Sequence, residues 1–200
     1  MCKKYIWYVG YGSNLSKQRF LCYIVGGTPK YGTKCYDRCS DPYPIDDRPI
    51  KIPHRLYFAL PNGYTKTDNW GEGGVAFINP LTEENEGYWS LCRMWKITCE
   101  QYEKVRDKEG RCWYDHKMYL GEEGGTPIYT ITNKLHLTNI LQPSDTYIKT
   151  VALGLKETFY FGDDTIAAYL IEKEGLKKFT KDTMIGVFQS ATSSDNMLND

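Results

Sequence analysis

Two hundred residues, 41% hydrophobic and 14% aromatic, suffice for one globular domain with a sizeable core. Basic and acidic residues balance at 25 each, which leaves no global field to draw the chain to nucleic acid or an anionic membrane. No apolar run approaches the roughly 20 residues that span a bilayer.

The first strand is expected from Lys4 to Gly10, because Tyr5, Ile6, Trp7, Tyr8 and Val9 are aromatic or β-branched. The apolar stretch behind Lys3 and Lys4 is short and runs into a glycine, so it does not read as a secretory leader. With seven cysteines, an odd number, the expectation is a cytosolic chain of reduced thiols and not a disulfide framework. A helix from Ser16 to about Val25 follows, stopped at Gly26 and Gly27. Thr28 to Pro53 is rich in Pro, Asp, Gly and Arg without periodicity and reads as a long surface loop.

Strands are predicted at His54 to Leu60, Gly73 to Asn79 and Glu86 to Ile97. Thr98 with Gln101 forms a capping box that opens a helix running to about Lys108 and ending at Gly110. Two more strands, Arg111 to Leu120 and Pro127 to Asn133, flank a turn over Gly121 to Gly125. Pro143 and Ser144 start another helix, in which Tyr147, Ile148, Val151, Ala152 and Leu155 fall at helical spacing. A last helix is expected over about Thr165 to Glu174, capped by Asp163 or Asp164. Gln189 to Asp200 reads as a disordered tail, leaving residues 1–188 as a single domain. The order of strands and helices has no regular βαβ rhythm. It predicts an α+β fold, a mixed and mostly antiparallel sheet or small barrel with flanking helices.

The string YVGYGSNLSKQRF, from Tyr8 to Phe20, leaves the first strand through Gly10, Gly12, Ser13 and Asn14 straight into a helix. Amides at such a corner are not yet paired within the helix, and they can converge on an anion. The corner lacks the G-x-x-x-x-G-K-[ST] phosphate loop, and position 15 is Leu where G-x-G-x-x-G needs Gly. It suits a carboxylate better than a nucleotide.

Tyr11-Gly12-Ser13-Asn14-Leu15 behind an N-terminal strand resembles the signature of the γ-glutamylcyclotransferase-like superfamily. Other segments are similar to that family in the same order: Trp70 to Ile78, Trp95 to Gly110 with Asp107-Lys108-Glu109-Gly110, and Tyr129 to Lys156. The resemblance covers about three quarters of the chain. It departs after Gly154-Leu155-Lys156-Glu157, where Thr158-Phe159-Tyr160-Phe161 replaces a Gly-Leu-Pro turn, and in the length of the Thr28 to Pro53 loop.

What the resemblance implies is an intramolecular reaction. The α-amino group of a γ-glutamyl amine or peptide attacks its own γ-carbonyl, giving 5-oxoproline and a free amine, with no metal and no organic cofactor. The partner is then a small γ-glutamyl molecule. By the same resemblance, the backbone at Gly12, Ser13, Asn14 and Leu15 holds the substrate α-carboxylate, Tyr11 shapes the pocket, Glu109 moves the proton, and Tyr129 is a candidate oxyanion donor. Chemistry adds one hint of its own. A glutamate in the last turn of a helix meets the negative end of the helix dipole, a broken local rule of the kind that marks functional sites. The alternative from another class is a non-catalytic ligand-binding or regulatory module on the same fold.

Rival constellations are weaker. Cys112 and His116, four apart on a strand, would lie about 13 Å from each other. Cys35, Cys39 and His54 form a metal cluster only through the path of the loop. Asp41, Asp46 and Asp47 read as a solvated loop, and Glu122 and Glu123 as a hairpin tip.

Overall fold

The computed structural model describes residues 4–38 and 43–190. It has the expected α+β architecture: a five-stranded, mostly antiparallel sheet with flanking helices. Strands β1 (Tyr5–Gly10), β2 (Asp46–Ile52), β7 (Ser90–Thr98), β8 (His116–Glu123) and β9 (Thr126–Thr132) lie in the order β2-β7-β1-β9-β8. All neighbours are antiparallel except β1 and β9, which run parallel with Trp7 opposite Ile128 and Tyr8 opposite Tyr129. The central β1 is buried along almost its whole length, as its unbroken apolar pattern requires.

A second ribbon pairs β3 (Leu56–Ala59) with β6 (Val75–Ile78), and a small one pairs β4 (Lys66–Thr67) with β5 (Gly71–Glu72). The β3–β6 ribbon is tied to the main sheet by Thr132, whose hydroxyl donates to the Ile78 carbonyl at 2.7 Å and accepts from the Ile78 amide at 3.3 Å. Aromatic rings fill the space over β1 and β7: Phe20 stacks on Trp95 at 4.6 Å and on Tyr8 at 5.6 Å.

Helix α1 (Lys17–Val25) is capped by Ser16, and α2 (Cys99–Glu109) opens with the Thr98–Gln101 capping box and stops at Gly110, whose φ of 89° suits glycine. Helix α3 (Asp145–Phe159) starts behind Ser144. Helix α4 (Asp163–Ile171) is capped by Gly162, not by an aspartate; Asp163 and Asp164 sit in its first turn, where they complement the dipole.

Several expectations need correction. The long loop contains β2, an edge strand with Pro49 in its middle; a proline at an edge need not donate inward, and the polar composition masked the pairing. The strand expected from Glu86 begins only at Ser90, after a short 3₁₀ turn over Glu86–Tyr88. The strand expected from Arg111 begins at His116, because Trp113 and Tyr114 turn back onto the Gly110 carbonyl at 3.0 and 3.1 Å. Helix α5 (Lys181–Gln189) was not anticipated: Gly186 and its polar start hide the stripe of Met184, Val187 and Phe188. Residues 191–200 of the expected tail lie outside the described residues. Among the described residues, no helix is long and apolar enough to cross a membrane.

Candidate active site

Residues Ser13–Leu15 form one 3₁₀ turn between β1 and α1. Its shape depends on close approach more than on unusual dihedrals. A Cβ at Gly12 would lie 2.7 Å from both the Ala76 Cβ and the Tyr147 hydroxyl. A Cβ at Gly154 on α3 would lie 2.4 Å from the Leu15 Cβ and from the Ser16 amide nitrogen. The two glycines let β6 and α3 press directly on the turn.

The turn is also held by polar contacts from two elements, β7 and α3. Trp95 Nε1 donates to the Asn14 carbonyl at 3.0 Å, and Arg93 donates to the Leu15 carbonyl at 3.2 Å. Arg93, nearly buried, is in turn paired with Asp47 at 2.7 Å and Glu157 at 3.2 Å. The Tyr147 hydroxyl accepts from the Ala76 amide at 3.0 Å and hydrogen-bonds Ser13. The amide of Leu15 is taken by the Gly12 carbonyl at 3.0 Å, and Leu15 itself is fully buried. Of the expected binding stretch, Leu15 therefore anchors the turn from below, while Ser13 faces open space.

That open space is a cavity of about 410 Å³. A narrow recess of about 20 Å³ extends from it, room for one oxygen-sized group. Ser13, Glu109, Tyr114 and Tyr147 line both; Tyr11, Gly12 and Asn14 line the recess. Tyr11 is buried and donates its hydroxyl to the Ile131 carbonyl at 2.6 Å, so it shapes the recess wall.

Glu109 is the last residue of α2. Its Oε1 accepts from Asn14 Nδ2 at 2.5 Å, and the same Nδ2 reaches the Tyr8 hydroxyl at 3.0 Å. Tyr23 hydrogen-bonds the Glu109 carboxyl from another side. The Tyr23 oxygen accepts from Arg19 at 2.5 Å, which leaves its own proton for Glu109. Burial pushes the Glu109 carboxyl above the ordinary glutamate range; the Arg19 charge and the Asn14 and Tyr23 hydrogen bonds pull the other way. Burial also raises the Tyr147 hydroxyl to about 12 and the Tyr114 hydroxyl well above its usual range, so both stay protonated at neutral pH.

Tyr129 is placed elsewhere. Its ring packs on Tyr102 at 6.1 Å and Tyr119 at 5.6 Å beneath Lys117, and it lines neither space. Tyr102 precedes Glu109 by two helical turns, about 10 Å. The tyrosines that line both the cavity and the recess are Tyr114 and Tyr147. Sequence reasoning missed them, together with Arg19, although a charged residue on the apolar face of α1 beside Phe20 and Tyr23 was a usable signal. Of the rival groupings, Cys112 lies in the turn after α2 at the cavity and His116 in β8. His54 Nδ1 sits 2.9 Å from the Asn79 carbonyl, Cys39 and Asp41 lie outside the described residues, and among the described residues no group of three metal-ligating side chains gathers.

This architecture is the γ-glutamylcyclotransferase-like fold. A solved structure titled "Gamma-glutamyl cyclotransferase" superposes with a TM-score of 0.54 at 17% identity, over 78% of this chain and 81% of that one. An uncharacterized human protein superposes with a TM-score of 0.58 at 16% identity, over 99% of this chain and all of that one. YkqA from Bacillus subtilis superposes with a TM-score of 0.50 at 16% identity, over 78% of this chain and 49% of that one. In sequence, the chain is 29% identical over 209 residues to part of Histone deacetylase 5 of Arabidopsis thaliana, covering 85% of this chain; it spans about a third (31%) of that protein's length. No family model matches the chain.

Proposed function

We propose that the protein is a cyclotransferase that closes a γ-glutamyl amine or peptide into 5-oxoproline and releases the free amine. The observation that carries this reading is the shared cavity: Ser13 of the glycine corner and the carboxyl of Glu109 line one space, with Asn14 bridging them at 2.5 Å.

The bound γ-glutamyl group lies folded, its α-carboxylate against the corner and its α-ammonium beside Glu109. Holding the bent conformer supplies the proximity term of a five-membered ring closure. The ionised Glu109 takes one proton from the ammonium. The freed amine attacks the γ-carbonyl carbon, a C–N bond forms, and negative charge collects on the carbonyl oxygen. The recess admits that single oxygen, with the neutral Tyr147 hydroxyl beside it, while the Tyr114 hydroxyl, which donates to the Ala76 carbonyl at 3.0 Å, shapes the wall. Glu109 returns that proton to the leaving nitrogen as the original C–N bond breaks, and then relays the second proton of the ring nitrogen to the released amine. 5-Oxoproline thus keeps one N–H, the amine departs protonated, the carboxylate is regenerated and no water is consumed.

The test is release of 5-oxoproline from a panel of γ-glutamyl amines and peptides by the wild type and Glu109→Gln. The variant is expected to lose about 100-fold or more in rate while retaining ligand binding. Equal release by both would remove Glu109 from the mechanism. Binding without turnover by the wild type across the panel would favour the ligand-binding module.

A further inference from the structure

Two nearly buried side chains at the large cavity carry hydrogen-bond donors that the ring-closing chemistry does not use. Arg19 is 2% exposed. Its Nη2 donates to the Tyr23 and Tyr36 hydroxyls at 2.5 and 3.2 Å, while Nε and Nη1 have no partner among the described residues. Its guanidinium lies over the Tyr23 ring at 4.1 Å and the Tyr36 ring at 4.9 Å, so its plane is fixed. Asn69 is 6% exposed. Its Oδ1 accepts from the amides of Thr33 and Lys34 at 3.1 and 2.9 Å, which fixes the orientation of the side-chain amide, and its Nδ2 has no partner among the described residues.

Leaving buried donors unpaired is costly, and most costly for a charged group. Both residues line the large cavity and neither lines the recess that takes the reacting oxygen. The same cavity carries Tyr64 and Trp113, their rings edge to face at 5.0 Å, with Tyr64 49% exposed.

We infer that Arg19 and Asn69 form a subsite for a carboxylate on the leaving group, and that the Tyr64–Trp113 pair beside it takes an aromatic ring. The favoured leaving group is then an aromatic α-amino acid. This rests on the cyclotransferase reading for the name "leaving group", but the subsite itself is a matter of binding.

Three ligands separate the parts: γ-glutamyl-phenylalanine, γ-glutamyl-phenethylamine, which lacks only the carboxylate, and γ-glutamyl-alanine, which lacks only the ring. Calorimetric titration of the Glu109→Gln chain reads affinity without turnover. γ-Glutamyl-phenylalanine is expected to bind at least about tenfold more tightly than the phenethylamine compound, from a charge-assisted hydrogen bond. It should exceed the alanine compound by about threefold or more, from ring packing. Adding Asn69→Asp keeps the acceptor of the Thr33 and Lys34 amides and replaces the donor with a negative oxygen. That change should abolish the preference for the carboxylate while leaving the phenethylamine compound within about threefold. Arg19→Gln should do the same, and Asn69→Asp decides the matter if the buried arginine proves necessary for folding. Equal affinity for the ligands with and without the carboxylate would overturn the subsite. So would an Asn69→Asp loss equal for both, which would assign the donors to the glutamyl half. Binding in the expected order, with no 5-oxoproline released by the wild type, would sink the reaction and keep the subsite.

Discussion

Gly154→Ala probes how tightly the corner is clamped. In an exposed helix interior the change would add about 1 kcal/mol of stability through helix propensity. Here the new Cβ would meet the Leu15 Cβ and the Ser16 nitrogen at 2.4 Å and the Leu15 carbonyl carbon at 2.5 Å, against ordinary contact near 3.4 Å. Two of those atoms are backbone, so α3 and the turn must separate by about 1 Å. Overpacking of this kind costs roughly 1–3 kcal/mol, enough to cancel the helix gain and leave a net loss. The displacement also moves Ser13 and Asn14 relative to Glu109, and a misplacement of about 1 Å can cost on the order of 100-fold in rate. Thermal unfolding and 5-oxoproline release read the two effects separately. A variant as stable and as active as the wild type would refute the clamp.

The pH dependence of kcat/KM follows from the ionised carboxylate acting as base. Activity is present above the folded-state pKa of Glu109 and lost as pH falls through it, so the acid limb should lie above the ordinary glutamate value. Tyr23→Phe removes a hydrogen bond that favours the charged form and should move that limb to higher pH; a limb unmoved or shifted downward in the variant would contradict the assignment. Arg93→Met should destabilise the fold by about 2–3 kcal/mol in denaturant titration, since it leaves Asp47, Glu157 and the Leu15 carbonyl without their shared donor. A loss below about 0.5 kcal/mol would mean the pairs are screened as surface ion pairs are.

The elements that place the site were readable because each carries a strong local signal: the aromatic run of β1, the Thr98–Gln101 box and Gly110 around α2, and the buried stripe of α3 behind Ser144. Glu109 at the end of α2 and Ser13 after β1 follow from those boundaries. What could not be read was contact between distant segments. The polar strand β2 becomes a strand only by pairing with β7, and Trp113 with Tyr114 become cavity residues only because the chain turns back on Gly110. The corner's glycines have two different reasons. Gly10 makes room for Asn14 four residues on, a local curl, whereas Gly12 answers to Tyr147 and Ala76 far along the chain. Only its order in the chain points to Tyr129, and order alone does not say which end of a helix a strand residue meets.

The small β4–β5 ribbon joins Lys66 to Glu72 and Thr67 to Gly71, and with the segment bridging Gly27 to Tyr36 it forms the side of the cavity that carries Asn69, Tyr64 and Tyr36. The opposite side belongs to β1, α2 and α3, whose residues are locked into the core. Replacement of residues in the thin outer straps would leave the proton-handling apparatus intact. A duplicated copy could thus change what its cavity admits through substitutions in these straps, while changes on the inner side would reach the core as well.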